Sequence, residues 1–435
     1  MKPYVSYKPS GVPWLGEVPA HWQVEKVKFQ ARLRGEKAVG TNGARYVGME
    51  HVLPKVGKFN PVVDGTQEEA ESTVNVFSKG DVLFGKLRPY LAKCVVADTD
   101  GVCSSEFLVL APSDEVVPAY LNATMLMQEF IDAVDASTYG AKMPRADWGF
   151  IGQQRLPLPP PDEQQAIADY LDAETARIDT LIYEKDELIG LLREWRQSVI
   201  AEAVTKGLDK SVATKPSGVP WLGDVPKHWV GKRLRDCVEG CSNGVWGDEP
   251  DGGDDDIPVI RVADFDRNRR QVVDYETLRK VDSSQRGSRG LRPGDMLMEK
   301  SGGGEQQPVG MVVSYFGPEG AVCSNFVARM RSREGVVPRF MVYLHAYLYA
   351  SRVSNISVKQ TTGIQNLDST AYLSEACFVP PHDEQQAIAD YLDAEAVKID
   401  DLIDHTHDEI TLLKELRAAT IADAVLGRVD VRAKT

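Results

Sequence analysis

The chain has 435 residues, is 43% hydrophobic and 26% charged, and carries a formal charge of −14 at pH 7. That length allows two or three domains with cores of their own, and that composition excludes wholesale disorder. The opening MKPYVSYKPSG lacks the apolar core of a signal peptide and no stretch has about 18 consecutive apolar residues, so a cytoplasmic protein without a membrane partner is expected.

Taken whole, the negative charge argues against a phosphate-rich partner, which needs local positive charge. Divided along the chain, it does not. Residues 1 to 150 carry 16 basic and 18 acidic side chains and residues 211 to 380 carry 21 of each, whereas 151 to 210 carry 7 against 12 and 381 to 435 carry 6 against 13. The acidity sits mostly in two segments and leaves two near-neutral regions. Six cysteines, Cys94, Cys103, Cys237, Cys241, Cys323 and Cys377, are expected as reduced thiols. Cys237 and Cys241 form one CxxxC with only His228 nearby, which falls short of a zinc ligand set, so no metal is expected.

In chain order, KPSGVPWLG at 8 to 16 runs on to a Val-Pro-x-His-Trp ending at Trp22. Strand-like runs follow at 46 to 52, 81 to 86, 92 to 98 and 106 to 112, rich in Val, Phe and Leu and bounded by Gly, Pro and Asp. After Val116, Val117 and Pro118, the spacing predicts a helix over 119–134. Three prolines then lead to DEQQAIADYLDAE at 162 to 174. The whole series returns. KPSGVPWLG recurs at 215 to 223 and His-Trp ends at Trp229; strands are predicted at 257 to 264, 295 to 300, 310 to 316 and 325 to 330, and a helix at 339–353. The 13-residue DEQQ stretch recurs unchanged at 383 to 395. The offset grows from 207 at the first anchor to 214 at GDVLFGK and GDMLMEK, 220 at the two Val-Cys-Ser sequences and 221 at the helices, so a unit of about 210 residues is duplicated.

The two DEQQ segments show helical periodicity. A stripe runs through Leu171, Glu174, Ile178, Leu181, Lys185, Leu188, Leu192, Trp195 and Val199, and its counterpart through Leu392, Glu395, Ile399, Leu402, Thr406, Glu409, Leu413, Leu416 and Thr420, with Ile403 and Ile410 beside it. Spacings of three and four predict that the helices pack on each other as a coiled coil. The expected seam residues are Leu171, Ile178, Leu181, Leu188, Leu192, Trp195, Leu392, Ile399, Leu402, Leu413 and Leu416. A helix from 163 to 206 would span roughly 66 Å, too long for an ordinary core helix and suited to a spacer. Asp162 and Asp383 can cap the free N–H groups, and Glu163 and Glu384 suit the positive end of the dipole. The expected fold is α+β: two related globular regions of mixed α and β structure, each followed by a long helix.

Candidate binding residues lie where the copies differ. After the shared Lys86 and Lys300, the first copy reads LRPYLAKCVVADTD and the second SGGGEQQPVGMVVSYFGPE, while TYGAKMPRADW at 138 to 148 stands where the second copy has VKQTTGIQNLDSTAYL at 358 to 373. One set offers Lys86, Arg88, Tyr90, Lys142 and Arg145. The other offers Lys300, Ser301, Gln306, Gln307, Lys359, Gln360, Thr362, Gln365 and Asn366. Arg and Lys pair with guanine edges or phosphates, and Gln and Asn with adenine, so these are residue types that read DNA.

With repeat, helices and divergent loops together, the chain resembles the specificity subunit of a type I restriction and modification system over nearly its full length. The carriers are KPSGVPWLG with its His-Trp, GDVLFGKLRPYL, GDMLMEKSGGGEQQPVG and the two DEQQAIADYLD helix starts. The resemblance implies two target-recognition domains, residues 1–155 and 213–375, each reading one half of a split, asymmetric double-stranded DNA sequence. It implies that the long helices at 156–212 and 376–435 form an antiparallel coiled coil with a pseudo-twofold internal repeat, which sets the gap and docks two modification subunits, with restriction and motor subunits in the larger complex. S-adenosylmethionine, ATP and Mg would be held by those partners, with no cofactor on this chain. An enzyme reading finds no chemistry of its own: SGGG at 301 to 304 lacks a following Gly-Lys-Ser/Thr, and no Asn-Pro-Pro-Tyr or Asp-Pro-Pro-Tyr for amino methylation is present. His21 and His228 stand beside Trp as packing residues. The remaining alternatives are a coiled-coil adaptor with two ligand-binding domains that does not bind DNA, and a DNA-modifying enzyme in its own right.

Overall fold

A computed structural model describes residues 2–41, 43–61, 73–140, 142–304, 306–361 and 363–434. The chain divides into two compact units, Met1–Asp186 with His407–Thr435, and Glu187–Thr406. Each unit therefore joins one copy of the globular region to one segment of each long helix.

In the first unit, β1 (Gln23–Lys26) and β2 (Ala31–Leu33) precede β3 (Val82–Gly85), β4 (Cys94–Val96) and β5 (Phe107–Pro112). The last four form an antiparallel sheet in the order β2-β5-β3-β4. Strand β3 is buried on both faces, and alternation decides which core each residue joins. Val82 and Phe84 lie in one cluster with Tyr120 and Phe130, and Leu83 in another with Val95, Phe107 and Val109. The helix expected over 119–134 is two helices, α1 (Pro118–Met125) and α2 (Gln128–Ala136). Between them Met127 is extended, with φ −58° and ψ 137°, and buried. Strand β6 (Arg155–Leu158) pairs back on β1 and leads into α3 (Pro161–Lys206).

The second unit repeats this order. Its elements are β7 (Val230–Arg233), β8 (Val238–Asn243), β9 (Met296–Glu299), β10 (Ser301–Gly302), β11 (Val312–Ser314) and β12 (Val327–Ser332), then α4 (Pro338–Ala350), β13 (Val358–Thr361), β14 (Ile364–Leu367), β15 (Ala376–Val379) and α5 (His382–Val425). The sheet runs β8-β12-β9-β11 and continues into the two-residue strands Gln271–Val272 and Phe265–Asp266. Met296 and Met298 face the core shared with α4, while Leu297 faces the other, as in β3. Phe107 stands opposite Gly85, and Val327 opposite Glu299, so the repeat holds to the residue.

The long helices have 46 and 44 residues. Gly207 and Gly427, at φ +73° and +67°, follow their ends in the left-handed conformation that terminates helices. In the first unit, Asp179 of α3 meets Arg417 of α5 at 2.8 Å and Lys185 meets Glu409 at 2.5 Å, so these segments run antiparallel. The second unit does the same: Arg196 pairs with Asp400, and Ile200, Ala203 and Val204 share a core with Ile388, Ala389 and Leu392.

The seam differs from the expected one in alternate turns. Leu171, Ile178, Leu392 and Ile399 are buried and Leu181, Leu192 and Leu413 half-buried, but Leu188, Trp195, Leu402 and Leu416 are exposed. The buried positions are one residue later: Ile189, Arg196, Ile403 and Arg417. Hydrophobicity misled the phase because two seam positions are arginines, buried through ion pairs with Asp400 and Asp179.

The repeated motifs meet at the helix starts. Glu163 accepts from the Trp22 indole N–H at 3.0 Å and contacts His21 at 2.9 Å; Glu384 accepts from Trp229 at 3.0 Å and contacts His228 at 2.6 Å. Tyr4 also donates to Glu163, and burial with that carboxylate beside it pushes the phenol up. Gln164 accepts from Val117 N–H at 2.9 Å and donates to the carbonyls of Glu115 and Pro159 at 3.0 and 2.8 Å. Gln385 does the same with Val337, Gly335 and Pro380. Both glutamines are buried, so the second, third and fourth residues of DEQQ are split between anchoring and solvent.

Candidate nucleic-acid interface

In each unit the two divergent segments are neighbours. Ala146 N–H donates to the Lys86 carbonyl at 2.9 Å and Arg88 N–H to that of Pro144 at 2.8 Å, so the turn after β3 lies against residues 144 to 146. Leu367 N–H donates to the Lys300 carbonyl at 2.8 Å, the equivalent bond one repeat on. A further pair matches: Lys86 and Lys300 N–H donate to Glu106 and Phe326 carbonyls at 2.9 and 2.8 Å.

The first unit presents cations and rings. Arg88 is exposed in the left-handed region at φ 50°, Lys142 is exposed, and Tyr90 and Tyr139 are 46% and 65% exposed. Lys86 is half-buried. Arg145 is committed instead: its guanidinium reaches both carboxylate oxygens of Glu106 at 2.9 to 3.2 Å, and this bond holds the Glu106 carboxyl below its usual range. Pairing of that kind fixes the turn rather than leaving a free charge.

The second unit presents amides and hydroxyls on a small sheet, β10-β14-β13. Ser301 stands opposite Asn366 and its hydroxyl donates to the Asn366 side-chain oxygen at 2.6 Å; Lys359 and Gln360 stand opposite Asn366 and Gln365. Lys300 donates to Asn243 Oδ1 at 2.7 Å, and Lys359 pairs with Asp368 at 2.9 Å. Gln306 and Gln307 are exposed in the preceding loop, as are Gln360 and Asn366 on the strands. Gln365 is buried and accepts from Val309 N–H at 3.3 Å, so it serves the fold. Thr362 lies outside the described residues.

Sequence reasoning missed a cleft of about 530 Å³ beside β10, lined by Trp246, Arg261, Glu299, Ser301, Asn325 and Phe326 among others. Glu299 is buried there, and burial raises its pKa against the opposing Arg267 at 3.0 Å. Of its lining, Ser301 was among the sequence candidates, and Glu299 and Phe326 lie in the GDMLMEK and Val-Cys-Ser anchors. Among the described residues no cluster of His, Cys, Asp and Glu could hold a metal, the six cysteines are free, and no helix is long and apolar enough to cross a membrane. The exposed side chains of the divergent segments are thus basic and aromatic in one unit and amide-rich in the other.

Comparison with known proteins agrees. Residues 42–189 match the family model described as the type I restriction modification DNA specificity domain. The type I restriction enzyme StySPI specificity subunit of Salmonella potsdam is 21% identical over 74% of this chain and 68% of its own length. The EcoDI specificity subunit of Escherichia coli is 23% identical over 36% of this chain, and the chain spans only 35% of that relative. A chain from a structure on complex assembly and conformational transition of the type I R-M system shares the fold with a TM-score of 0.71 at 19% identity, covering 95% of this chain and 99% of its own. The duplicated frame and the paired divergent loops are those of a chain similar to type I restriction–modification specificity subunits, with the specificity-domain match falling on residues 42–189.

Proposed function

We propose that the chain reads a bipartite double-stranded DNA target, with residues 1–155 and 213–375 as recognition domains for one half-site each and the helices at 156–212 and 376–435 as the spacer. One observation carries this reading. The backbone bonds that bring the two divergent segments together are the same in both units, Ala146 to Lys86 and Leu367 to Lys300, while the side chains they present differ. A constant frame with variable contents suits two different half-sites, so the target is asymmetric and gapped.

Exposed apolar side chains support docking of two modification subunits. Leu191 and Trp195 on α3 are exposed, and so are Leu412 and Leu416 at the equivalent positions of α5. Such patches on a monomer mark interaction sites. In this reading the chain carries no catalysis of its own. The modification subunits supply the methyltransferase chemistry with S-adenosylmethionine, and restriction and motor subunits use ATP and Mg. Selection of random duplex DNA by the purified chain with its modification partner, followed by sequencing, tests it. Enrichment of one split motif is expected; no split motif, or methyl transfer by the chain alone, would refute the assignment.

A further inference from the structure

The two seam arginines sit at equivalent repeat positions, and so do their partners. Arg417 of α5 donates from Nε to Asp179 of α3 at 2.8 Å, and Arg196 of α3 pairs with Asp400 of α5. Each arginine also leaves the helix pair. Arg417 donates from Nη1 and Nη2 to the carbonyls of Lys55 and Val56, at 3.0 and 2.9 Å, and Arg196 donates from Nη1 to that of Asn268 at 3.3 Å. These carbonyls belong to corresponding hairpin tips, one closed by Val52 and Phe59, the other by Phe265 and Val272. Each tip returns a cation to the same aspartate: Lys58 to Asp179 at 3.7 Å and Arg269 to Asp400 at 3.8 Å.

A buried ion pair in a helix seam is weak evidence for stability but a good device for register, because only one alignment satisfies both charges. Here the guanidinium also gives further donors, two from Arg417 and one from Arg196, to the globular part of the same unit. A planar fork does this and an ammonium does not. We propose that Arg417–Asp179 and Arg196–Asp400 are positioning clamps: each fixes the helix register in its unit and ties that register to a hairpin of the recognition domain, so that they set the gap the protein accepts. This rests on the bipartite-DNA reading above.

The test compares the wild-type chain with Arg417→Lys and Lys185→Ala, each with its modification partner, on the selected motif with its gap intact or changed by one base pair. Arg417→Lys keeps a cation for Asp179 but cannot also reach both carbonyls. Lys185→Ala removes a cross-helix pair with Glu409 that touches no hairpin. The preference for the native gap should fall by roughly two- to thirty-fold in Arg417→Lys, the range expected for coupling through a contact network. The half-site sequences should stay the same, and Lys185→Ala should keep the full preference. Arg196→Lys should act in the same direction and less strongly, since Arg196 holds one carbonyl where Arg417 holds two. An unchanged gap preference in Arg417→Lys would overturn the clamp while leaving the bipartite reading intact. A wild-type chain that selects no split motif would overturn both.

Discussion

Replacing Gln164 with alanine removes three hydrogen bonds at a fully buried position: one accepted from Val117 N–H and two given to the carbonyls of Glu115 and Pro159. At about 1 kcal/mol net for each bond, the loss is about 3 kcal/mol, rising toward 5 if the stranded carbonyls stay dry. By the same scale, opening of the first unit becomes on the order of 150-fold more frequent. Hydrogen exchange read by mass spectrometry over peptides containing Val117 and Val337 measures both units in one sample. Gln164→Ala should speed exchange at Val117 and leave Val337 alone; Gln385→Ala should do the reverse. Gln164→Glu adds a control. It keeps the volume and the acceptor but turns the donor into an oxygen facing two carbonyls, so its folded-state pKa should rise. Stability relative to wild type should then be lost as pH rises through that folded pKa and recovered as pH falls below it. A cost under about 1 kcal/mol for Gln164→Ala, or equal loosening of both units, would refute the idea that this residue locks its helix start to its own domain.

Seam phase separates two substitutions on one helix: Ile178→Ala should cost about 2–4 kcal/mol in urea unfolding and Trp195→Ala under about 0.5, with the reverse order contradicting the packing. Burial lowers the pKa of His345 to about 4, with Nδ1 held at 2.7 Å from the Tyr372 hydroxyl. A histidine depressed on folding favours the folded state above its ordinary pKa near 6.5, and that stability is lost as pH falls toward 4; the second unit should lose up to about 3 kcal/mol across this window. His345→Gln should flatten the profile in pH-dependent unfolding, and an unchanged slope would contradict it. Arg88→Ala and Lys142→Ala should each reduce the salt slope of DNA binding by about one, whereas a steeper or unaltered slope would remove them from the phosphate-facing surface.

Repeats made the overall architecture legible. The strands at Val82–Gly85 and Met296–Glu299 were visible because alternation and flanking Gly-Asp mark them in both copies. The break at Met127 was not, since no Gly or Pro announces it and a buried Met continues the apolar spacing. The helix phase slipped because hydropathy credits Trp195 over Arg196, and only three-dimensional pairing shows why the arginine is inside. For the candidate interface, the divergent segments could be found by comparing copies, but residue roles could not. Gln365 and Gln360 are alike in sequence, yet one is buried under Val309 and the other exposed. Arg145 is likewise bound by Glu106, which sits in a different anchor and gave no local sign of the pairing.

The composition of the first unit bears on synthesis. Its core joins Tyr4, Leu15 and Trp22 to Ile421, Ala424, Val425 and Val431, and Asp430 N–H donates to the Lys2 carbonyl at 2.9 Å. The second unit is instead one continuous span, Glu187–Thr406. On a ribosome, the domain translated first therefore waits with an open apolar face until residues 407–434 emerge, while the domain translated second closes before it. Folding order would run opposite to translation order, and the early domain would spend the intervening period exposed to chaperones and proteases.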